Sequence, residues 1–443
     1  MPNIITAVEK HRALMLAAER RIWSHPETGY KEYKTTAYMA EQFEKLGYKL
    51  TYADGIPGFY TVIDTGREGP EVMILAELDS VICPTHPDAD PETGAVHACG
   101  HNAQCAALLG IAAALTEPGI TDSLCGRIRL CTVPAEELLE IEYRLELKAQ
   151  GKIKYMGGKS EFLSRGYFDG VDIAFMVHTS GSWSIGAGSV GCIAKNIIYK
   201  GVAAHAGASP WEGKNALYAA TCGLNAANAL RETFHDSDHI RFHPIITAGG
   251  SMVNAIPERA QIESYVRGKT FEAMEKANKR INQALIGAAL SLGNNIEIID
   301  IPGYAPHINS RGMIAAAKEA ANAILPEINI SVTEGISSGS TDMGDLSCVM
   351  PIIHPYCGGA KGKGHGNDYQ IINPEAACVS SAKWQLALLT VLLRNDAEKA
   401  KEIIAGYTPK FPSKEAYLAY MDSLNRSGDR IIYRDDGTAE IRL

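Results

Sequence analysis

Four short β-rich runs constrain this chain more than any other feature: Glu71 to Leu78, Arg127 to Val133, Val171 to Val177 and Cys348 to Ile353. Each is followed by polar or ionisable residues. Asp79 follows the first, Glu136 and Glu137 the second, His178 the third and, beyond a Gly-rich loop, His365 the fourth. In an open α/β sheet, sites form just outside the carboxyl ends of the strands, so groups far apart in sequence can converge there. Helix-like and strand-like segments alternate over the first 190 residues, which predicts an α/β layer with a mostly parallel sheet.

From about residue 191 the order changes. Strand (Ile193 to Lys200), helix (Asn215 to Phe234), two strands (Ile240 to Ala248, Arg259 to Arg267), helix (Phe271 to Leu292) and strand (Asn295 to Ile301) follow one another. That is the split β-α-β order of a ferredoxin-like α+β unit. The expected organisation is a catalytic unit built from 1–190 and 306–443, interrupted by an inserted unit over 191–305, with a C-terminal extension from about 396. A chain of 443 residues is long enough for roughly two or three domains.

Composition narrows the function. A formal charge of −9 speaks against a nucleic-acid binder, which needs a basic face. No apolar run is read as approaching a membrane span, and Met1 to Ala18 lacks the apolar core of a signal peptide, so a cytoplasmic enzyme with no membrane partner is expected. The ten cysteines are scattered, without the paired spacing of a zinc ribbon or disulfide framework. Most are expected to be reduced, buried, small apolar residues.

Cys99 is the exception. In His97-Ala98-Cys99-Gly100-His101-Asn102 it precedes the apolar helix Ala103 to Leu115. A thiolate and an imidazole two residues apart at a helix start suit a borderline-soft divalent ion, because the helix N-terminus favours the thiolate. In Pro134-Ala135-Glu136-Glu137 two adjacent carboxylates close an apolar strand. Beside a divalent ion such a pair can divide labour, one as ligand and one as general base for an activated water. His178 and His365 would each be ordinary alone, but their coincidence with the other strand-end groups points to a metal site.

Two glycine-rich segments are decoys. Gly186-Ala187-Gly188-Ser189-Val190-Gly191 fits the dinucleotide fingerprint but leads into a β-rich run rather than a helix. Gly358 to Gly364 lacks the Gly-Lys-Ser/Thr ending of a phosphate loop and is read as backbone freedom around His365.

These motifs, with Ser24-His25-Pro26-Glu27-Thr28-Gly29, Asp79, His205-Ala206-Gly207-Ala208-Ser209-Pro210, Asn254-Ala255-Ile256-Pro257, Arg267 and Ser340-Thr341-Asp342, resemble the aminoacylase and carboxypeptidase family of co-catalytic metallohydrolases. The resemblance runs to about residue 395. It is strongest to the branch of hippurate hydrolase, indole-acetyl-amino-acid hydrolases and aminobenzoyl-glutamate hydrolase subunits. It implies a zinc-peptidase-like catalytic domain and two divalent ions, zinc or manganese, with cobalt or nickel also compatible with the donors. Cys99, His101, Glu137, His178 and His365 are the implied ligands, with Cys99 bridging. Glu136 is the implied general base and Asp79 an acid orienting a ligand. In the inserted lid and dimerisation unit, His205, Asn254 and Arg267 would hold the oxyanion and substrate carboxylate, His205 reaching into a partner subunit of a homodimer.

The implied reaction is hydrolysis of the amide bond of a small N-acyl or N-aroyl amino acid. A dipeptidase or aminopeptidase of the same family is the alternative, and a non-catalytic binding protein a more distant one. A covalent Cys99 nucleophile with His101 as its base is disfavoured, since residues so close at a helix start do not readily take that geometry. Three departures bear on substrate. The hippurate-type branch has Asp at the position of Asn102, His at that of Gln104, and glycines directly after Glu-Glu, where this chain carries the charged segment Leu138 to Tyr155. That insertion is expected to reshape the pocket mouth.

Overall fold

The strand Glu71–Glu77 is buried along its whole length and lies inside a six-stranded sheet. The computed structural model describes residues 2–443. Arg127–Val133 and Ile173–Phe175 flank the central strand in parallel, Ile352–Ile353 adds a further parallel edge, and Thr51–Tyr52 with Phe59–Asp64 closes the other edge as an antiparallel pair. Alternate residues serve two cores, as a sheet covered on both faces requires. Val72, Ile74 and Ala76 join one, Met73 and Leu75 the other.

The helix His101–Leu115, buried at every position, packs into the first core together with Arg12–Trp23 and Ser381–Leu393. The fourth β-rich run is mostly not a strand. Met343–Ser347 is helical, Cys348 ends that helix, and only Ile352–Ile353 pair, because Pro351 disfavours helix in the residue before it and donates no hydrogen bond. The expectation of no span-length apolar segment also needs correction. Glu375–Leu393 is long and apolar enough to cross a membrane, but 78% of that window is buried inside the fold, where it serves as a core helix.

Residues 191–304 form a separate antiparallel sheet in the order Arg241–Phe242, Arg259–Gly268, Gly191–Lys200, Asn295–Tyr304. Helices Ala216–Asn228 and Phe271–Ser291 pack on it around Ile197, Ile262, Ile281 and Leu285. The expected strand over 240–248 is split at His243-Pro244 into Arg241–Phe242 and Ile245–Ala248, both paired with Arg259–Gly268. Proline again supplies the break.

The chain passes between the two sheets twice, and the passages touch. Gly188 and Ser189 pair with Ile308 and His307. A Cβ on Gly188 would fall 2.0 Å from the His307 carbonyl oxygen, and one on Gly191 2.6 Å from that of Tyr304. Gly188 and Gly191 of the dinucleotide-like motif are thus demanded by backbone approach, whereas a Cβ on Gly186 would meet nothing closer than 3.9 Å. The C-terminal extension differs from its expected place in the catalytic unit. Tyr417 and Met421 join the core on the catalytic side, but Arg426 and Arg430 hydrogen-bond the strand Asn295–Tyr304, and Ile431 is buried in the other unit's core. The extension covers a strand edge that would otherwise stay open.

Candidate active site

The parallel strands end on one side of the sheet, and the loops beyond them bring the ionisable groups together. Ala135 has φ 56°, a left-handed conformation rare outside glycine, and its N–H donates to Glu32 Oε1 at 2.7 Å. This turn redirects the chain so that Glu136 and Glu137 line a cavity with Cys99, His178 and His365. The Ser24–Gly29 motif acts as scaffold. The Glu27 carbonyl accepts from the Ser80 N–H at 2.8 Å, fixing the turn after Asp79, while the Glu27 carboxylate accepts from the N–H groups of Lys34 and Thr35.

Three sets of donor atoms lie within 4.8 Å of one another: Cys99, His101 and His178; Cys99, Glu137 and His365; Glu77, His101 and Glu136. Cys99 belongs to two of them. His178 Nε2 lies 3.4 Å from Cys99 Sγ, and His365 Nε2 lies 2.9 Å from Glu137 Oε1. His101 Nδ1 donates to Asp79, 2.9 Å from its carbonyl and 3.2 Å from Oδ1. That bond turns His101 Nε2 toward the cluster, where it is buried 3.2 Å from Glu77 Oε2 and 3.9 Å from Glu136 Oε2. Asp79 Oδ2 also accepts from the Glu137 N–H at 2.8 Å, so one buried carboxylate orients two candidate ligands.

Electrostatics agree with a cation site. Burial and Glu137 would raise the Cys99 thiol, but His101 and His178 outweigh them and bring it down to about 6. Burial, reinforced by the charges of Glu77 and Glu137, pushes the Glu136 carboxyl well above the usual range. A divalent cation beside Glu136 favours its ionised form, the form a base requires. Hydrogen bonds to Cys99 and Glu137 carry His365 up to about 11. A buried imidazole nitrogen turned into the cluster, a depressed thiol and crowded carboxylates are a donor set that fits divalent metal.

Beneath this cluster lies a buried charge network whose pairing through Lys159 has no signal in the sequence. Lys159 Nζ contacts Glu77 Oε1 at 2.6 Å and also Asp342 Oδ1, and all three side chains are buried. Burial would raise Glu77, but Lys159 and then His101 bring it to about 2. Gln104 Nε2 donates to Glu77 Oε2 at 3.1 Å, and Asn102 Nδ2 to Glu19 Oε1 at 2.7 Å. Two of the three departures from the family pattern, Asn102 and Gln104, therefore face the carboxylates of Glu19 and Glu77.

The cavity above the cluster has a volume of about 370 Å³ and walls from both sheets. Arg267 faces it from the second sheet, its Nη1 donating to Ser340 Oγ at 2.8 Å and its Nε to His243 Nε2 at 3.2 Å. The Tyr304 hydroxyl donates to the Glu136 carbonyl and that of Tyr265 to the Leu138 carbonyl, tying the second sheet to the loop that carries the glutamates. The inserted segment forms the helix Ile141–Ala149. It places buried Arg144 against the Glu137 carbonyl, and Leu138 and Leu139 in the cavity wall. His205 and Asn254 are brought to each other but not to the cavity. Ala206 N–H donates to the Asn254 carbonyl at 2.9 Å, and His205 Nδ1 accepts from the N–H groups of Gly207 and Ala208. Both are exposed, beside exposed Trp211, Met252 and Val253.

Strand-end thiolate, imidazoles and carboxylates, a buried carboxyl beside them and a guanidinium across the cavity define a metal-dependent hydrolase of amide or peptide bonds. The profile of peptidase family M20/M25/M40 matches residues 73–390, and the chain belongs to that family. It is 30% identical over 353 residues to the Xaa-Arg dipeptidase of Mus musculus, covering 77% of this chain and 75% of that one. It is 26% identical to the indole-3-acetyl-aspartic acid hydrolase of Enterobacter agglomerans, covering 67% and 76%. A dinuclear metal-binding M20 peptidase of Bacillus subtilis shares the fold with a TM-score of 0.62 at 21% identity, over 87% of this chain and 99% of that one.

Proposed function

We propose that this protein hydrolyses the amide bond of an N-acyl or N-aroyl amino acid, releasing the free amino acid and the acyl carboxylate. The observation that carries the reading is Cys99, shared by two donor sets that flank Glu136, with Arg267 across the same cavity. Cys99, His101 and His178 would hold one ion and Cys99, Glu137 and His365 a second, zinc or manganese by donor type. When bound, such ions supply Lewis acidity to the scissile carbonyl and acidify the attacking water.

The side chains do the rest. Glu136 takes the proton of the water whose oxygen bonds to the carbonyl carbon, then delivers it to the leaving nitrogen as the carbon–nitrogen bond breaks. Asp79 keeps the lone pair of His101 Nε2 directed at the metal cluster. Arg267 binds the α-carboxylate of the amino-acid half, and Asn254, which lies beside His205 and does not line the cavity of its own chain, joins it from a second copy. His205 of a second copy donates to the oxyanion, since His205 does not line the cavity of its own chain. The exposed apolar side chains around His205, with Tyr218 and the edge strand Ile245–Ala248, suit a homodimer contact.

A dipeptide is the second reading, favoured by the likeness to the mouse Xaa-Arg dipeptidase. Metal analysis of the purified protein, with hydrolysis of matched N-acyl amino acids and dipeptides before and after chelation, tests both. Acyl conjugates cleaved faster than dipeptides, with loss on chelation and recovery on adding zinc or manganese, is the expected result. Cleavage that survives complete metal removal would refute the mechanism, and faster dipeptide cleavage the substrate class.

A further inference from the structure

A second cavity, of about 390 Å³, adjoins the first and shares His354 and Tyr356 with it. It lies where the chain crosses between the sheets. Ser189, His307 and Ser337 come from three short strands paired there. Its walls present hydroxyls, among them Ser180 and Ser184, and two imidazoles, but no Asp, Glu, Lys or Arg.

The two imidazoles are held differently. Asn309 Oδ1 accepts from the His354 backbone N–H and from His307 Nε2, both at 2.8 Å. His307 Nδ1 is then free of hydrogen and accepts from Ser189 Oγ at 3.3 Å. Burial favours this neutral form, moving His307 down to about 4. His354 has no such support. It is 2% exposed, its ring stands between those of His178 and His307 at 5.5 and 5.6 Å, and neither ring nitrogen has a hydrogen-bond partner. A buried imidazole with both nitrogens unpaired is costly, and here it forms part of the wall between the reaction centre and an uncharged polar cavity.

We propose that this cavity is a subsite for the acyl end of the substrate, taking an uncharged hydrogen-bonding group such as a hydroxyl or carboxamide, and that His354 selects that group. The inference rests on the amide-hydrolase reading. An ionised acyl group would find no countercharge among the lining residues, and an apolar one would leave His354 unpaired. Sites that hydrogen-bond a substrate hydroxyl discriminate strongly against its methyl analogue, since the protein group is then stranded.

The test uses full-length, metal-loaded protein and the pair N-(4-hydroxybenzoyl) and N-(4-methylbenzoyl), each as the glycine, glutamate and arginine conjugate. Both kcat/KM and the Kd of the Glu136→Gln protein are measured. The expected preference for the hydroxyl member is about tenfold or more in each. His354→Phe brings the ratio close to one, and His354→Gln, which keeps a donor and an acceptor, restores part of it. If His354→Phe does not fold, Ser337→Ala in the same cavity lowers the ratio in the same direction. Equal binding of the pair, no binding of either, or an equal loss for both members in His354→Phe overturns the subsite. Preference in binding without hydrolysis of any conjugate retains the subsite and refutes the reaction, and hydrolysis without preference does the reverse.

Discussion

The catalytic cleft and the exposed face around His205 carry polar groups of similar chemistry in opposite settings. In the cleft, Glu77, Asp79, His101, Glu136 and Glu137 are all buried, and nearly every charge faces another charge of the same chain. On the lid face, His205 and Asn254 are exposed among apolar side chains, and their described hydrogen bonds are to neighbouring backbone. The crowded carboxylates of the cleft suit cations, which would offset the cost of burying like charges together. The exposed face around His205 instead offers apolar side chains to solvent.

Four experiments sharpen or break this contrast, the first with the largest expected effect. Lys159→Met strands Glu77 and Asp342 in the interior, so chemical unfolding should show a loss of about 3–5 kcal/mol. A loss below about 1 kcal/mol would mean that the network is as well screened as a surface pair. Glu136→Gln should lower turnover about a hundredfold or more while metal content by elemental analysis stays the same. Near-normal turnover would place the base elsewhere.

The third experiment mixes two proteins that are each nearly inactive, His205→Ala and Glu136→Gln, under conditions that exchange subunits. If the proposed homodimer forms, a mixed dimer would have one cavity with Glu136 and a neighbouring His205 both intact, so activity should return toward about half that of wild type in those dimers. Verified exchange without recovery would end the shared-site reading, leaving His205 to serve its own subunit through domain closure or to have no catalytic part. Last, Arg267→Ala should weaken substrates with a free α-carboxylate by about tenfold or more, the range of a charged hydrogen bond, and their amides far less. Equal losses would remove the carboxylate clamp.

Much of the cleft was legible because its signals are local. The run Arg127 to Val133 is a strand over its expected length, and the spacing of Cys99 and His101 at a helix start is itself the site geometry. The Glu77–Lys159–Asp342 network was not legible, because its contacts span 82 and 183 residues and only the folded sheet brings them together. Nothing around Lys159 marks it as buried. Glu77 did leave a trace, a carboxylate inside an apolar run two residues before Asp79. His354 left one too, since it follows the run ending at Ile353 just as His178 follows Val177. The tail was misplaced because its short hairpin, Ile431–Tyr433 with Ala439–Ile441, has little apolar patterning of its own and depends on the sheet it covers.

That tail also limits how the two units can move. The paired crossings at Gly188 and Ile308 lie side by side, and two bodies joined along one such line can swing about it like a door. A third fastening away from the line removes the swing. Tyr417 Oη donates to Asp345 Oδ1 on the catalytic side at 2.5 Å, and a few residues later Arg426 exchanges backbone hydrogen bonds of 3.0 and 2.7 Å with Asp300 of the other sheet. Opening or closing the cleft by any large angle must stretch or peel this link, so the molecule behaves as a braced frame. In such a frame His205 stays outside the wall of its own cavity, and the proposed second copy would bring a histidine there without bending either molecule.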